Sequence, residues 1–228
     1  MKAAVILSGC GVYDGSEIQE AVLTLLALEE NEVEYNLFAP DKMQFHVVNH
    51  LTGETMEENR NVLIESARIG RGNVAALNTI NVADFDFLVI PGGFGAAKNL
   101  NQWAINGPKG SIDNDVKATI LSFIKAEKAI CGLCMGPTVI AKALENTEFN
   151  VTLTVGSTKE KSPYDIKGIS EGMESIGAKS VNKTITEIAI DQNLKIVSAP
   201  CYMMEASLLD VRKNIAQAVK ETINLVNI

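Results

Sequence analysis

Histidine is almost missing from this chain: His46 and His50 are the only two in 228 residues. Glutamine hydrolysis by a Cys–His–Glu triad needs a histidine downstream of its nucleophile, and none follows His50. Basic residues are also short, with 20 Lys and Arg against 28 Asp and Glu and a formal net charge of −8. That balance argues against nucleic acid or an anionic membrane as a partner, since both select basic faces. No apolar run approaches the roughly 20 residues of a membrane span. Residues Met1 to Leu7 run straight into a strand and a glycine corner, without the h-region or cleavage site of a signal peptide. Four cysteines without such a signal lead us to expect reduced thiols in the cytoplasm or a cytosol-like compartment. The sequons at Asn150 and Asn182 are then accidental. Repeats, low-complexity tracts and linkers are all lacking, so residues 1–228 read as one domain.

What the chain has is organised around Ala129-Ile130-Cys131-Gly132-Leu133-Cys134-Met135-Gly136-Pro137. A short apolar run enters a corner of small residues, and a helical pattern leaves it with Pro137 in its first turn, where a missing N–H costs nothing. This reads as a nucleophile elbow that lifts Cys134 out of a sheet at a helix N-terminus. The dipole and free N–H groups there predict a stabilised thiolate and a lowered thiol pKa. The plainer reading is an inert buried cysteine.

Lys2–Ser8, Val33–Ala39, Phe87–Ile90, Ala129–Leu133 and Val151–Val155 read as strands, bounded by glycine or proline. Ile18 to Leu26, Glu58–Ile69, Asp113–Lys125, the region after the elbow, Ile166–Ile176 and Leu208 to Val226 have helical spacing. Thr184–Ile190 and Leu194–Ser198, joined at Asp191-Gln192-Asn193, resemble a hairpin. Strands alternating with helices predict an α/β fold with a mostly parallel sheet covered on both faces. Ligands of such sheets bind beyond the carboxyl ends of the strands. Gly9-Cys10-Gly11, Gly92-Gly93-Phe94-Gly95 and Gly132-Leu133-Cys134 should therefore converge.

A thiolate needs a proton carrier and an oxyanion site. Glu17, after the first corner, is the candidate carrier; alternatively it closes a capping box with Asp14. The N–H groups of Gly93 and Met135 are the oxyanion-hole candidates, against a plain tight turn at Gly92-Gly93. His50 could reach the same rim or simply pack. Cys10 and Cys201 sit at strand-end corners, where they could line the pocket or be small buried residues. Cys131 and Cys134 spell C-x-x-C, but Cys131 falls inside the strand, unlike a redox pair. No second C-x-x-C or histidine pair follows to complete a zinc site, so no metal is expected.

Several stretches resemble the ElbB-like branch of the PfpI superfamily, with its class I glutamine amidotransferase-like fold. They are Ser8-Gly9-Cys10-Gly11-Val12-Tyr13-Asp14-Gly15-Ser16-Glu17, Phe38-Ala39-Pro40-Asp41-Lys42, Asn49-His50-Leu51-Thr52-Gly53-Glu54, Arg60 to Glu65 and Pro91 to Leu100. Lys195 to Met203, with Pro200 and Tyr202, extends the match; Met135-Gly136-Pro137 departs slightly from the family's elbow. The resemblance implies a flavodoxin-like three-layer sandwich, an elbow cysteine at Cys134 and a partnering glutamate at Glu17. It also implies a cofactor-independent glyoxalase acting on glyoxal or a related small aldehyde, with protein deglycase activity, a link to isoprenoid biosynthesis and a homodimer. A different class of reading is a non-catalytic stress or regulatory protein whose Cys134 senses oxidants.

Overall fold

A computed structural model describes residues 1–227. The strands are β1 (Lys2–Ile6), β2 (Glu34–Ala39), β3 (Ala75–Ala76), β4 (Phe87–Ile90), β5 (Ala129–Leu133), β6 (Thr152–Leu153), β7 (Lys179–Ser180), β8 (Ala189–Asp191) and β9 (Ile196–Ala199). The α-helices are α1 (Ile18–Glu30), α2 (Val62–Ile69), α3 (Trp103–Asn106), α4 (Asn114–Lys125), α5 (Gly136–Leu144), α6 (Ile166–Ser175) and α7 (Leu208–Val226).

Seven strands form one sheet in the order β3-β2-β1-β4-β5-β9-β8, parallel throughout except where β8 runs against β9. The central strands β4, β5 and β9 are buried along their whole length, which is why they read as unbroken apolar runs. Helices cover both sides: α1 packs with α7, and α4 with α5. The expected α/β, flavodoxin-like three-layer arrangement is the one observed.

Local differences have physical causes. Val151–Val155 is not a strand of the main sheet; β6 pairs with β7 in a separate two-stranded ribbon. Residues 58–61 lead into α2 rather than belonging to it, because Asn61 caps that helix through Oδ1 and the Ile64 N–H. Asp14 does not cap α1: its Oδ2 accepts from the Val48 N–H at 2.7 Å, fastening the loop that follows β2. Of the predicted hairpin, only β8 and β9 are strands, while residues 184–188 lie outside them.

The elbow turns because two glycines let chain segments touch. A Cβ on Gly132 would lie 2.7 Å from Ile140 Cδ1, and one on Gly136 would lie 2.6 Å from the Ile90 carbonyl oxygen. The second contact is with backbone, which cannot swing away. Gly136→Ala should therefore destabilise the protein by about 1–3 kcal/mol, the usual range for overpacking. Chemical denaturation measures this; unchanged stability would remove the close approach of α5 to β4 as a constraint on the elbow.

Candidate active site

The three glycine corners do converge. The Glu17 N–H donates to the Gly92 carbonyl at 3.0 Å, the Phe94 N–H to Val12 at 2.8 Å and the Gly95 N–H to Gly15 at 2.8 Å. The third corner is tied to β9 by the Cys134 N–H, which donates to the Ala199 carbonyl at 2.9 Å. Cys134 itself has φ +56°, a left-handed conformation that costs a non-glycine residue roughly 1–3 kcal/mol. That strain aims the thiol away from β5 into a cavity of about 230 Å³. Glu17, Gly93 and Met135 line the same cavity, with Phe94, Trp103, Tyr164 and Tyr202 forming much of its apolar wall.

A carboxylate that sequence reasoning passed over sits against the sulfur. Glu20, one turn after Glu17, is fully buried. A Cβ on Gly92 would collide with Cys134 Cβ and lie 2.6 Å from Glu20 Oε2 and 2.7 Å from Cys134 Sγ. Oxygen and sulfur thus crowd the same small space. Glu20 Oε1 accepts from the Tyr202 N–H at 3.1 Å, while Oε2 has no conventional hydrogen-bond partner among the described residues. A buried carboxyl with no cationic partner is costly unless protonated. Burial first, and the charge of Glu17 second, push Glu20 up to about 8.

Glu17 is less intimate with the sulfur. Its Oε2 accepts from the Glu20 N–H at 2.6 Å, so it is the N-cap of α1 while still facing the cavity. Its carboxyl is raised by burial and partly offset by N–H groups of its own helix. The expected capping box with Asp14 is not formed; Glu17 caps α1 by itself and faces the cavity as well.

The thiol pKa requires correction. A lowered value was expected from the helix N-terminus, but Cys134 is raised well above the ordinary thiol value. Burial is the main cause and the Glu20 charge the next; the Gly93 and Met135 N–H groups pull the other way without prevailing. Only 5% of Cys134 is exposed, so little water remains to solvate a thiolate. Those two N–H groups are the ones proposed from sequence as an oxyanion hole, and they are aimed at the sulfur.

Other candidates fall outside the cavity. Cys10 is partly exposed near Glu65 and Arg68. His50 stacks on Tyr13 at 5.0 Å between ring centroids, accepts from the Tyr13 N–H at 3.2 Å and is separated from the cavity wall. It is a packed loop residue, held where Gly11 leaves room for its ring. Cys201 is fully buried, held by its N–H donating to Asn214 Oδ1 at 3.0 Å, while its neighbours Tyr202 and Met203 form the wall. Cys131 is buried in β5 beside Thr222 and pushed up to about 12 by burial. The apolar spacing beginning at Ile18 could not have found Glu20: Ile18, Val22 and Leu26 are exposed, and the buried face of α1 is Glu20, Ala21, Thr24, Ala27 and Leu28.

No protein-family model matches the chain. It is 40% identical over 228 residues to the mitochondrial ES1 protein homolog of Rattus norvegicus, covering 98% of this chain and 84% of that one. It is equally 40% identical to the mitochondrial glutamine amidotransferase-like class 1 domain-containing protein 3 of Homo sapiens, covering 98% and 83%. An isoprenoid biosynthesis protein with an amidotransferase-like domain from Ehrlichia chaffeensis superposes with a TM-score of 0.88 at 36% identity, covering 98% and 99%. Drosophila melanogaster DJ-1beta shares the fold alone, with a TM-score of 0.54 at 13% identity over 99% and 95%. Both curated relatives are named mitochondrial, which overturns the cytoplasmic expectation. Composition and reduced thiols could not have decided this, because an organellar address is read from a short segment by a receptor.

An acid whose folded pKa exceeds its unfolded value holds its proton more tightly when folded, so stability is full below the unfolded pKa and falls above it. For Glu20 the window runs from the ordinary carboxylate range up to about 8. Glu20→Gln, which does not titrate, should melt higher than the unsubstituted protein at pH 8 and equally at pH 4. Equal melting at both pH values would mean that Glu20 is not ionised at a cost. Its 40% identity to both curated relatives over nearly the whole chain shows that it belongs to the ES1 family of glutamine amidotransferase-like class 1 proteins.

Proposed function

We propose that the protein converts a small 2-oxoaldehyde to the corresponding 2-hydroxy acid without a cofactor, using Cys134 as nucleophile. The observation that carries this is the buried Glu20 carboxyl set against the Cys134 thiol at the floor of a cavity that Glu17 also faces. A carboxylate with a pKa near 8 is a far better match for a thiol proton than an ordinary one.

Ionised Glu20 accepts the thiol proton as the sulfur adds to the aldehyde carbon, and that proton passes to the new hydroxyl of a hemithioacetal. Glu17 then removes the hydrogen from the same carbon, and the electron pair moves onto the neighbouring carbonyl as an enediol. Return of the proton to the neighbouring carbon gives a 2-hydroxy thioester. Water cleaves the thioester, releasing the hydroxy acid and the thiol. One carbon is oxidised as its neighbour is reduced, so no outside redox agent is needed. The Gly93 and Met135 N–H groups, already aimed at the sulfur, hold negative charge at the reacting centre. Apparent protein deglycase activity follows from consumption of free dicarbonyl.

The similarity to the Ehrlichia isoprenoid biosynthesis protein supports a link to isoprenoid biosynthesis. The oxidant-sensing reading finds less support. A sensing thiol needs thiolate character and access to peroxide. Cys134 is 5% exposed with a raised pKa.

Incubation with glyoxal and no glutathione should yield glycolate. Cys134→Ala should abolish this, and Glu20→Gln should lower turnover by about a hundredfold or more. Because ionised Glu20 is the base, kcat/KM should rise with pH toward a plateau above about 8, and that inflection should vanish in Glu20→Gln. Glycolate formation undiminished in Cys134→Ala would overturn the assignment.

A further inference from the structure

Glyoxal satisfies the chemistry of this site but not its shape. A two-carbon dialdehyde would leave most of a 230 Å³ cavity unfilled. The walls above the sulfur are rings and branched aliphatics: Val12, Phe94, Trp103, Tyr164, Ile169 and Tyr202. Trp103, the one tryptophan of the chain, is 6% exposed and enters from the single-turn α3. Phe94 and Tyr164 meet edge to face, with centroids 5.8 Å apart at 70°, so each ring braces the other.

The charges present are acidic. Glu17 faces the cavity and Glu20 lies beneath the sulfur. Among the described residues no Lys, Arg or His lines the cavity. Lys98, though it lies 5.4 Å from the centroid of the Phe94 ring, donates to the Tyr13 carbonyl at 2.8 Å. An anionic substrate would therefore meet acidic side chains in an apolar chamber without a counter-charge. Tyr164 strengthens this character: burial first, then the nearby Cys134, Glu20, Tyr13 and Glu17, hold its phenol up at about 12. It stays neutral and able to donate.

From the aromatic walls and the buried carboxylates we propose that the site takes uncharged 2-oxoaldehydes bearing an aryl or comparably bulky apolar substituent, and rejects anionic ones. The reactive carbon sits at Cys134 and the substituent lies against Trp103, Phe94 and Ile169. This rests on the 2-oxoaldehyde reading above and names the substrate within it. Filling such a pocket with a ring in place of hydrogen is expected to change selectivity on the order of tenfold or more, since even one methylene is worth 10–200-fold.

Two measurements separate this inference from the reaction it rests on. In the first, kcat/KM for phenylglyoxal (followed as mandelate) is compared with that for glyoxal (followed as glycolate). The expected ratio exceeds about tenfold and shrinks in Trp103→Ala; a ratio of one or below overturns the inference. The second needs no turnover. Alkylation of Cys134 is followed by peptide mass mapping with N-benzyl iodoacetamide, iodoacetamide and iodoacetate, each normalised to a free cysteine peptide. N-benzyl iodoacetamide should be about tenfold favoured over iodoacetamide, and iodoacetate about tenfold disfavoured. Ile169→Lys, which places a cation on a half-buried wall position, should restore iodoacetate and leave the protein folded. Normalised rates equal for all three reagents overturn the inference. If neither aldehyde is turned over while the alkylation preferences hold, the glyoxalase reaction fails and the cavity's preference for neutral apolar ligands stands.

Discussion

Two acidic groups share a space that exists only because Gly92 has no side chain. The Cys134 sulfur and Glu20 Oε2 both press on the position its Cβ would occupy. The rest of the site follows from keeping them there. The left-handed backbone at Cys134 aims the sulfur, the Tyr202 N–H holds the second oxygen of Glu20, and the Gly93 and Met135 N–H groups are aimed at the sulfur. Proximity works against ionisation of either group, so the pair keeps its protons until a substrate or rising pH removes one. A buried carboxyl is expensive for folding. Its retention at the end of a parallel sheet, where ligands bind, agrees with strain concentrated at a working site.

The loops that enclose this pair are fastened by a polar clamp. Buried Asn99 donates to the carbonyls of Ser8 and Asp14, both at 2.9 Å, and accepts from the Phe45 N–H at 2.9 Å. One amide thus binds the β1 corner, the loop after β2 and its own π-helical turn, Ala96–Leu100. That turn follows directly on Phe94 and Gly95, and such wide turns occur often at functional sites. The outer wall comes from more distant segments, Tyr164 and Ile169 near the start of α6 and Tyr202 after β9. The walls therefore combine residues of the glycine corners, Val12 and Phe94, with residues from distant segments.

Strands were legible where burial is complete on both faces. Phe87–Ile90 and Ala129–Leu133 are uninterrupted apolar runs closed by glycine or by the elbow, and both appear as read. Short elements with ambiguous sides were not. Thr152–Leu153 has the β-branched, apolar character of a strand, yet only its partner at Lys179–Ser180 decides that it stands apart from the main sheet. The 96–100 turn and α3 carry no period long enough to recognise. At the site, Cys134 was visible because a strand, small residues and Pro137 spell a corner locally. Glu20 was not, because carboxylates are ordinarily on surfaces and helix spacing alone would have had to overrule that preference.

The sequence by itself determined the alternation of strands and helices, the three glycine corners and the position of the elbow. Each depends on residues close together in the chain, through backbone freedom and apolar periodicity. The tertiary structure alone decided which carboxylate meets the sulfur, that burial raises the thiol's pKa despite the helix N-terminus, and which aromatic rings close the cavity. Those outcomes depend on distances between residues far apart in the chain, such as Glu20 and Tyr202, and on water excluded when they meet. Solvation is a property of the assembled surface, and no local pattern encodes it.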